Sequence, residues 1–285
     1  EDGPPLNPKV MAMVQSGKVT WDICDFATYR IDPLGLSNNL EEIDYSIVDK
    51  SGIPDDFLFK WGVGNCTYST ILAYRADMVQ GEPPTSVAAL WDLKKYPGKR
   101  ALHDEPIHNI PFALIAAGVP KDQVYPLTEE KIAKAFAKLD EIKEHAIWWT
   151  VGAQSPQLLA NKEVALAQAY SNRLDTLIEQ GVPLKIVWDG AQTSGDGFAI
   201  TKGAPNKDLA MLFIAWAVLP ENNARISKYI TMGPVNKSAV QYVAKDRLPL
   251  LPAAYSDRQV TMDAKWWGPN FDKLVQRWKE WRLKG

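Results

Sequence analysis

Two cysteines and three histidines are the first residues in this 285-residue chain that could do chemistry. Cys24 and Cys66 are too few for a structural zinc site built from three or four cysteines. As a pair they admit one disulfide, or two buried thiols packing as small hydrophobes. His103, His108 and His145 do not form a metal-binding pair at helical spacing. His103 and His108 can approach each other around a turn, but neither a metal nor a cofactor is expected there. No Gly-x-Ser-x-Gly elbow and no phosphate loop is present.

The elements that must position any site belong to an ordinary globular chain. With 46% hydrophobic and 23% charged residues it can bury a large core in one or, more commonly, two domains. The formal charge of −2, from 32 Lys+Arg against 34 Asp+Glu, provides no electrostatic footprint for nucleic acid and no polybasic tail for a membrane. No apolar run approaches the roughly 18 to 20 residues of a spanning helix. Residues 1 to 15 lack the charged-then-apolar order of a signal peptide, so if the protein is exported its signal has been removed.

Periodicity predicts strands alternating with helices. Asn7-Pro8 reads as a helix start with Gly17 as its stop, and VTWDICDF (19–26) as a buried strand. TYSTILAYR (67–75) is a strand, and PTSVAALWDLKKYPGKRAL a short helix followed by a strand. EPIHNIPFALIAAG is a helix closed by Gly118, with Pro111 kinking or delaying it. TEEKIAKAFAKLDEIKEH is the clearest helix, with Ile132, Phe136, Leu139 and Ile142 on one face. AIWWTV, VALAQAY and LKIVW are strands, separated by SPQLLANKE, which Ser155 should cap, and RLDTLIEQG. Residues 98 to 188 therefore point to a largely parallel sheet with helices on both faces. Gly190, Gly195 and Gly197 then break the apolar run before Phe198-Ala199-Ile200, either as a crossing between domains or as a mobile surface loop. A helix follows, with Asn206 as N-cap and Leu209, Leu212, Phe213 and Trp216 inward. Near the end, Phe271, Leu274, Val275, Trp278 and Trp281 form a core stripe.

ITKGAPNKDLAMLFIAW followed by LPENNARISKYITMGPVNKSAV resembles the closing part of bacterial extracellular solute-binding proteins of ABC importers, most of all the spermidine/putrescine-binding group. LWDLKKYPGKRAL and GAQSPQLLANKEVALAQAYSNR are similar to further motifs of that group, in the same order. The resemblance implies a type II periplasmic binding protein fold: two α/β lobes joined by two crossover strands, with a ligand cleft between them. GNCTYSTILAYR would be the first crossover and GDGFAIT the second. Lobe one would take residues 1–70, lobe two 71–196, and 197–285 would return to lobe one. Members usually carry a strand, an aromatic and glycine-bearing loop, a helix and another strand before the part that matches Glu1, so a lobe-one contribution is expected to be missing here. With the crossovers so placed, Cys24 and Cys66 fall on segments expected side by side. An oxidising compartment and the right register would allow a disulfide between them.

In such sheets ligands sit beyond the carboxyl ends of strands and at helix N-termini. That rule selects Asp25 and Phe26, and Tyr68 with Ser69 in the first crossover. It also selects Asp104, Glu105 and Pro106, Gly152 to Ser155 including Gln154, and Tyr170, Asn172 and Arg173. On the return come Gln192, Asp196 and Phe198, with Gly233-Pro234 closing lobe one. Aromatics can stack on an alkyl or cationic ligand, and a carboxylate can neutralise an ammonium. Plain structural roles stand beside these: Asp25, Asp104 and Ser155 as helix caps, Arg173 in a surface ion pair.

The resemblance implies a monomeric periplasmic receptor, not an enzyme, that delivers a small solute to a membrane permease. Asp25, Asp104, Glu105 and Asp196, if convergent, favour a polyamine-like cation. Arg173 in the site would instead favour a small organic acid or amino-acid derivative. Another class, an enzyme using Cys66 as nucleophile with Asp25 or Asp196 as base, is the remote alternative. Ligand should draw the lobes together, with Gly195 and Gly197 absorbing part of the change and Tyr68 and Phe198 sealed from solvent.

Overall fold

A computed structural model of the chain describes residues 6–284. The strands are β1 (Ile23–Ala27), β2 (Leu58–Phe59), β3 (Gly62–Arg75), β4 (Arg100–His103), β5 (Ala146–Trp149), β6 (Leu166–Tyr170), β7 (Leu184–Ile200), β8 (Gly233–Pro234) and β9 (Val260–Thr261). The first helices are α1 (Leu6–Ser16), α2 (Ile31–Leu36), α3 (Pro106–Ala116), α4 (Glu129–Asp140) and α5 (Gln154–Ala160). They are followed by α6 (Asp175–Glu179), α7 (Lys207–Ala217), α8 (Pro220–Asn223), α9 (Ile226–Tyr229) and α10 (Ala264–Leu283). Asn7 already lies inside α1 and does not cap it, while Gly17 ends it with φ of 66°. The lobe-one segment expected before Glu1, like Glu1 to Pro5 themselves, lies outside the described residues.

The chain forms two compact units. Unit 1 is Glu1–Tyr68, Ser194–Ala254 and Asp263–Pro269; unit 2 is Ser69–Thr193, Tyr255–Met262 and Asn270–Gly285. The stretch 197–285, expected as a return to lobe one plus C-terminal helices, divides between the two units, with Tyr255–Met262 and Asn270–Gly285 in unit 2.

In unit 1, β1 runs antiparallel to the end of β7, with Ile23 opposite Ile200, Asp25 opposite Phe198 and Ala27 opposite Asp196. Opposed residues share a face and successive residues alternate. Cys24 and Phe26 therefore enter a core with Val10, Ile31, Leu34, Leu40, Phe59 and Ala199. Ile23 and Phe198 pack on the other side against Ile43, Val48, Val63 and the inner face of α7. β2 and β8 both pair antiparallel with β3, Leu58 opposite Val63 and Cys66 opposite Pro234.

In unit 2, β4 is parallel to both β5 and β6, Arg100 lying opposite Ala146 and Leu166, and β6 pairs antiparallel with β3. The parallel strands are buried on two sides, by a Trp149, Leu159 and Leu184 cluster and by a Leu72, Leu102 and Phe112 cluster. Arg100, fully buried, turns its guanidinium into the preceding loop and donates to the carbonyls of Leu90, Gly98, Asp92 and Tyr96. That satisfies a turn whose carbonyls would otherwise be buried without donors, and it explains why the Trp-Asp-Leu to Pro-Gly-Lys stretch leads into a strand. In α4 the expected Ile132, Phe136 and Leu139 are buried, Ile142 is buried just beyond the helix end, and Thr128 Oγ1 accepts from Lys131 N at 3.3 Å. The C-terminal stripe is also core, with Phe271, Leu274, Trp278 and Trp281 buried and Val275 half-buried.

Two readings are corrected. The glycines at 190, 195 and 197 do not break a strand, because β7 runs unbroken through all three. A Cβ on Gly195 would lie 2.7 Å from the Cys66 carbonyl oxygen, and one on Gly197 2.9 Å from that of Val63. These glycines admit a close approach of neighbouring backbone. Gly190, with φ of 77°, is the one of the three that needs the left-handed region. The second correction concerns α7, which turns Ala210, Met211 and Ile214 inward and leaves Leu209 and Leu212 67% and 57% exposed, with Phe213 and Trp216 beside them. Asn206 makes no cap bond with its side chain; its backbone N and Nδ2 donate to Asp22 instead.

Candidate functional sites in the two units

Unit 1 gathers two carboxylates around β1, β3 and β7. Asp25 keeps contact with solvent on β1, and Asn65 on β3 donates its Nδ2 to Asp25 Oδ1 at 3.0 Å. Lost hydration, reinforced by the like charge of Asp196 and only partly offset by the Asn65 bond, pushes the Asp25 carboxyl up to about 7. Asp196 is raised to about 6 by burial, against the hydrogen bond it receives from Tyr68. Asn65 is fixed from behind: its carbonyl accepts from Asn223 Nδ2 at 2.6 Å, and Asn223 Oδ1 accepts from Asn236 N at 3.0 Å. Two carboxyls poised near neutrality beside neutral donors form a receptor for positive charge.

Cys66 belongs to the same neighbourhood but not to its chemistry. Burial, then the charges of Asp196 and Asp25, drive its thiol well above the ordinary value, so it is not a thiolate nucleophile. Cys24 and Cys66 are free and buried. The expected adjacency fails because β7 lies between β1 and β3. Cys24 faces Thr201 Oγ1 at 3.5 Å instead.

Phe26 is core and points away from Asp25, as alternation along a strand requires. Phe198 packs edge-on against Phe213, ring centroids 5.8 Å apart. Gly233-Pro234 is a short partner strand for β3.

Unit 2 holds a second polar cluster at the carboxyl ends of β4, β5 and β6. His103 stacks on Trp149 at 4.3 Å and lies 5.4 Å from His108. Burial holds both imidazoles neutral, His108 at about 4 and His103 well below its ordinary value, the latter also opposed by His108. Gln192 Oε1, an acceptor only, sits 2.8 Å from His108 Nδ1, so the proton is on Nδ1. That leaves Nε2 to accept from the Tyr170 hydroxyl at 3.5 Å. Gln168 Oε1 accepts from His103 N, and Asn109 Nδ2 donates to the carbonyls of His103 and Glu105.

Arg173 is exposed in the turn after β6. A Cβ on Gly152 would stand 3.0 Å from the Tyr170 ring and 3.7 Å from Arg173 Nε, so both side chains close over that glycine. The guanidinium and the edge of the Tyr170 ring thus share one end of unit 2, where the guanidinium is suited to a carboxylate while the Tyr170 hydroxyl is engaged by His108. Asn172, half-buried, lies in the same turn.

Other expected residues serve structure. Asp104 Oδ1 accepts from Trp278 Nε1 at 2.9 Å and from Arg282 Nε at 3.0 Å, which ties α10 to the end of β4. Ser69 is fully buried and donates to Gln259 Oε1. Gln154 accepts from the backbone of Thr150 and Val151. Glu105 is the residue before α3, opened by Pro106. Ser155 caps nothing; its buried Oγ has no partner among the described residues. Sequence reasoning singled out His103 and His108 as able to approach each other but missed Asn65, Gln168 and Asn109. The available signal was a polar amide inside an otherwise apolar strand or helix.

A chain whose units carry charged and amide side chains at strand ends, on mixed α/β sheets, is built to hold a small molecule. It belongs to the bacterial extracellular solute-binding protein family, whose model matches residues 1–253. It is 34% identical to the gamma-aminobutyric acid-binding protein of Pseudomonas aeruginosa over 97% of this chain and 80% of that one. Among structures, the Atu4243 GABA receptor is 34% identical with a TM-score of 0.89, covering 99% of this chain and 88% of its own. An ABC transporter substrate-binding protein from Bradyrhizobium japonicum is 33% identical with a TM-score of 0.92, covering 98% and 88%. The spermidine/putrescine protein PotD of Streptococcus pneumoniae, at 20% identity over 97% and 88%, shares the fold, with a TM-score of 0.75. The fold is that of periplasmic binding proteins, and the protein is a substrate-binding component of an ABC transporter, not an enzyme. Such proteins bind small molecules and work with membrane permeases.

Proposed function

We propose that this receptor binds a small ω-amino acid of the γ-aminobutyrate type in the periplasm, as a monomer, and hands it to its permease. The Asp25 and Asp196 pair of unit 1 takes the ammonium. The observation that carries the reading is the pair itself: two carboxyls, raised to about 7 and about 6, whose described partners Asn65 and Tyr68 are neutral. A cationic ligand head supplies the missing charge. Two relatives at 34% identity whose names speak of γ-aminobutyrate support an amino acid. The protein named for spermidine and putrescine is only 20% identical, so the comparisons support the amino acid over the polyamine favoured from sequence.

Three four-carbon ligands test this by isothermal titration: γ-aminobutyrate, putrescine and succinate. They share length and differ only in end charges. γ-Aminobutyrate alone should bind tightly, and Asp25→Asn should weaken it about ten-fold or more. Tight putrescine binding without a response to γ-aminobutyrate would return the protein to the polyamine reading, and tight succinate binding would leave the acid pair without its ligand.

A further inference from the structure

Asn65 is 6% exposed on β3 in unit 1, and the two polar atoms of its side chain meet different fates. Nδ2 donates to Asp25 Oδ1, while Oδ1 has no donor among the described residues. A buried carbonyl oxygen without a partner is destabilising, so this atom calls for an explanation. Turning the amide over gives no relief, because it would set the oxygen against the Asp25 carboxylate. The hydroxyl of Tyr68 already donates to Asp196.

We propose that Asn65 Oδ1 is a third acceptor for the ligand's ammonium, beside Asp25 and Asp196, and that it makes the receptor selective for primary amines. The inference deepens the ω-amino-acid reading and rests on it for the ammonium. A primary ammonium carries three N–H donors. Asp25, Asp196 and Asn65 Oδ1 supply acceptors of matching number, and Asn65 keeps its oxygen turned from Asp25 because its donor is engaged there. A trimethylammonium has the same charge but no N–H. It would satisfy the carboxylates by charge alone and leave Asn65 Oδ1 still buried without a donor. Sites that hydrogen-bond a ligand group discriminate strongly against an analogue lacking it, for this reason.

The test compares two ligand pairs by isothermal titration: γ-aminobutyrate with its N,N,N-trimethyl analogue, and putrescine with the analogue trimethylated on both nitrogens. Wild type should prefer the primary member at least about 30-fold. Asn65→Leu keeps the volume and removes the acceptor, so the primary member should lose about ten-fold or more and the preference should fall below about three-fold. Asn65→Asp keeps an acceptor and should keep the preference. Thermal unfolding of each variant confirms the fold, and Asn65→Ser, too short to reach, substitutes for Asn65→Leu if leucine is not tolerated. An unchanged preference in folded Asn65→Leu or Asn65→Ser overturns the inference, as does equal wild-type affinity for a trimethylated member. Binding confined to the putrescine pair overturns the ω-amino-acid reading alone, with Asn65 still judged by the ratio within that pair. Binding in neither pair overturns both.

Discussion

Acidification should strip unit 1 of the charge that holds an ammonium, over a range in which the ligand itself stays protonated. In the free protein the Asp25 carboxyl stands at about 7 and that of Asp196 at about 6. Both are raised, so both are ionised above pH 7 and protonated as the pH falls through these values. A cation binds the ionised form; affinity is therefore full above about pH 8 and lost below it. Between pH 8 and 5 the protonation of Asp25 weakens binding about 100-fold and that of Asp196 about 10-fold, roughly a thousand-fold if both must be ionised. His108, held at about 4, stays neutral throughout and adds no competing charge. Isothermal titration at pH 8, 7, 6 and 5 measures the slope. At pH 6, buffers of different ionisation enthalpy should show more than one proton released per ligand bound. Asp25→Asn removes the larger step, so its remaining loss from pH 8 to 5 should be about 10-fold. Affinity constant within three-fold from pH 8 to 5, with no proton released at pH 6, would refute the reasoning that these carboxyls receive the ligand's charge.

Gly197→Val should lower stability far more than it alters the affinity of the molecules that fold, because its Cβ would lie 2.9 Å from the Val63 backbone oxygen; chemical denaturation should show a loss of about 2 kcal/mol or more, and an unchanged midpoint would contradict the close approach. Asp104→Ala should cost about 1–3 kcal/mol by leaving Trp278 and Arg282 without their acceptor, yet leave ligand affinity within two-fold; a large affinity loss at unchanged stability would put Asp104 back among the binding residues. Thiol titration of the unreduced protein should find two free thiols on denaturation and almost none before it, since both are buried.

The sequence made the fold legible wherever one local rule was enough. α4 follows from its 3.6-residue stripe, and the parallel strands of unit 2 follow from their apolar runs between helices. α7 shows where the rule stops. Leu209, Leu212, Phe213 and Trp216 make one apolar stripe, Ala210, Met211 and Ile214 another, and periodicity does not say which meets the sheet. The larger side chains are outside. Asp25 and Asp196 could be placed on the strands that carry them, but not brought together, because their meeting depends on Ala27 lying opposite Asp196. Phe26 could not be separated from Asp25 until the strand's register fixed its face. Asp104 read as a ligand residue because its partners lie on a helix far along the chain. Asn65 was passed over for a related reason: an amide in an apolar strand is a weak signal, and it gains weight only once its oxygen is seen to lack a donor among the described residues.

The interleaving of the two units bears on the order in which the protein is made. The ribosome delivers Ser69–Thr193 as one uninterrupted stretch, enough to assemble β4, β5 and β6 with the helices that cover them. β1, completed at Ala27, meets its described partner only when residues 196–200 have been synthesised. Between those moments its edge is unpaired and its apolar residues are uncovered. Pairings this distant in sequence close late and slowly. For a polypeptide of a family that acts outside the cell, a half that stays unfolded until most of the chain exists is a half that a secretion channel can still thread.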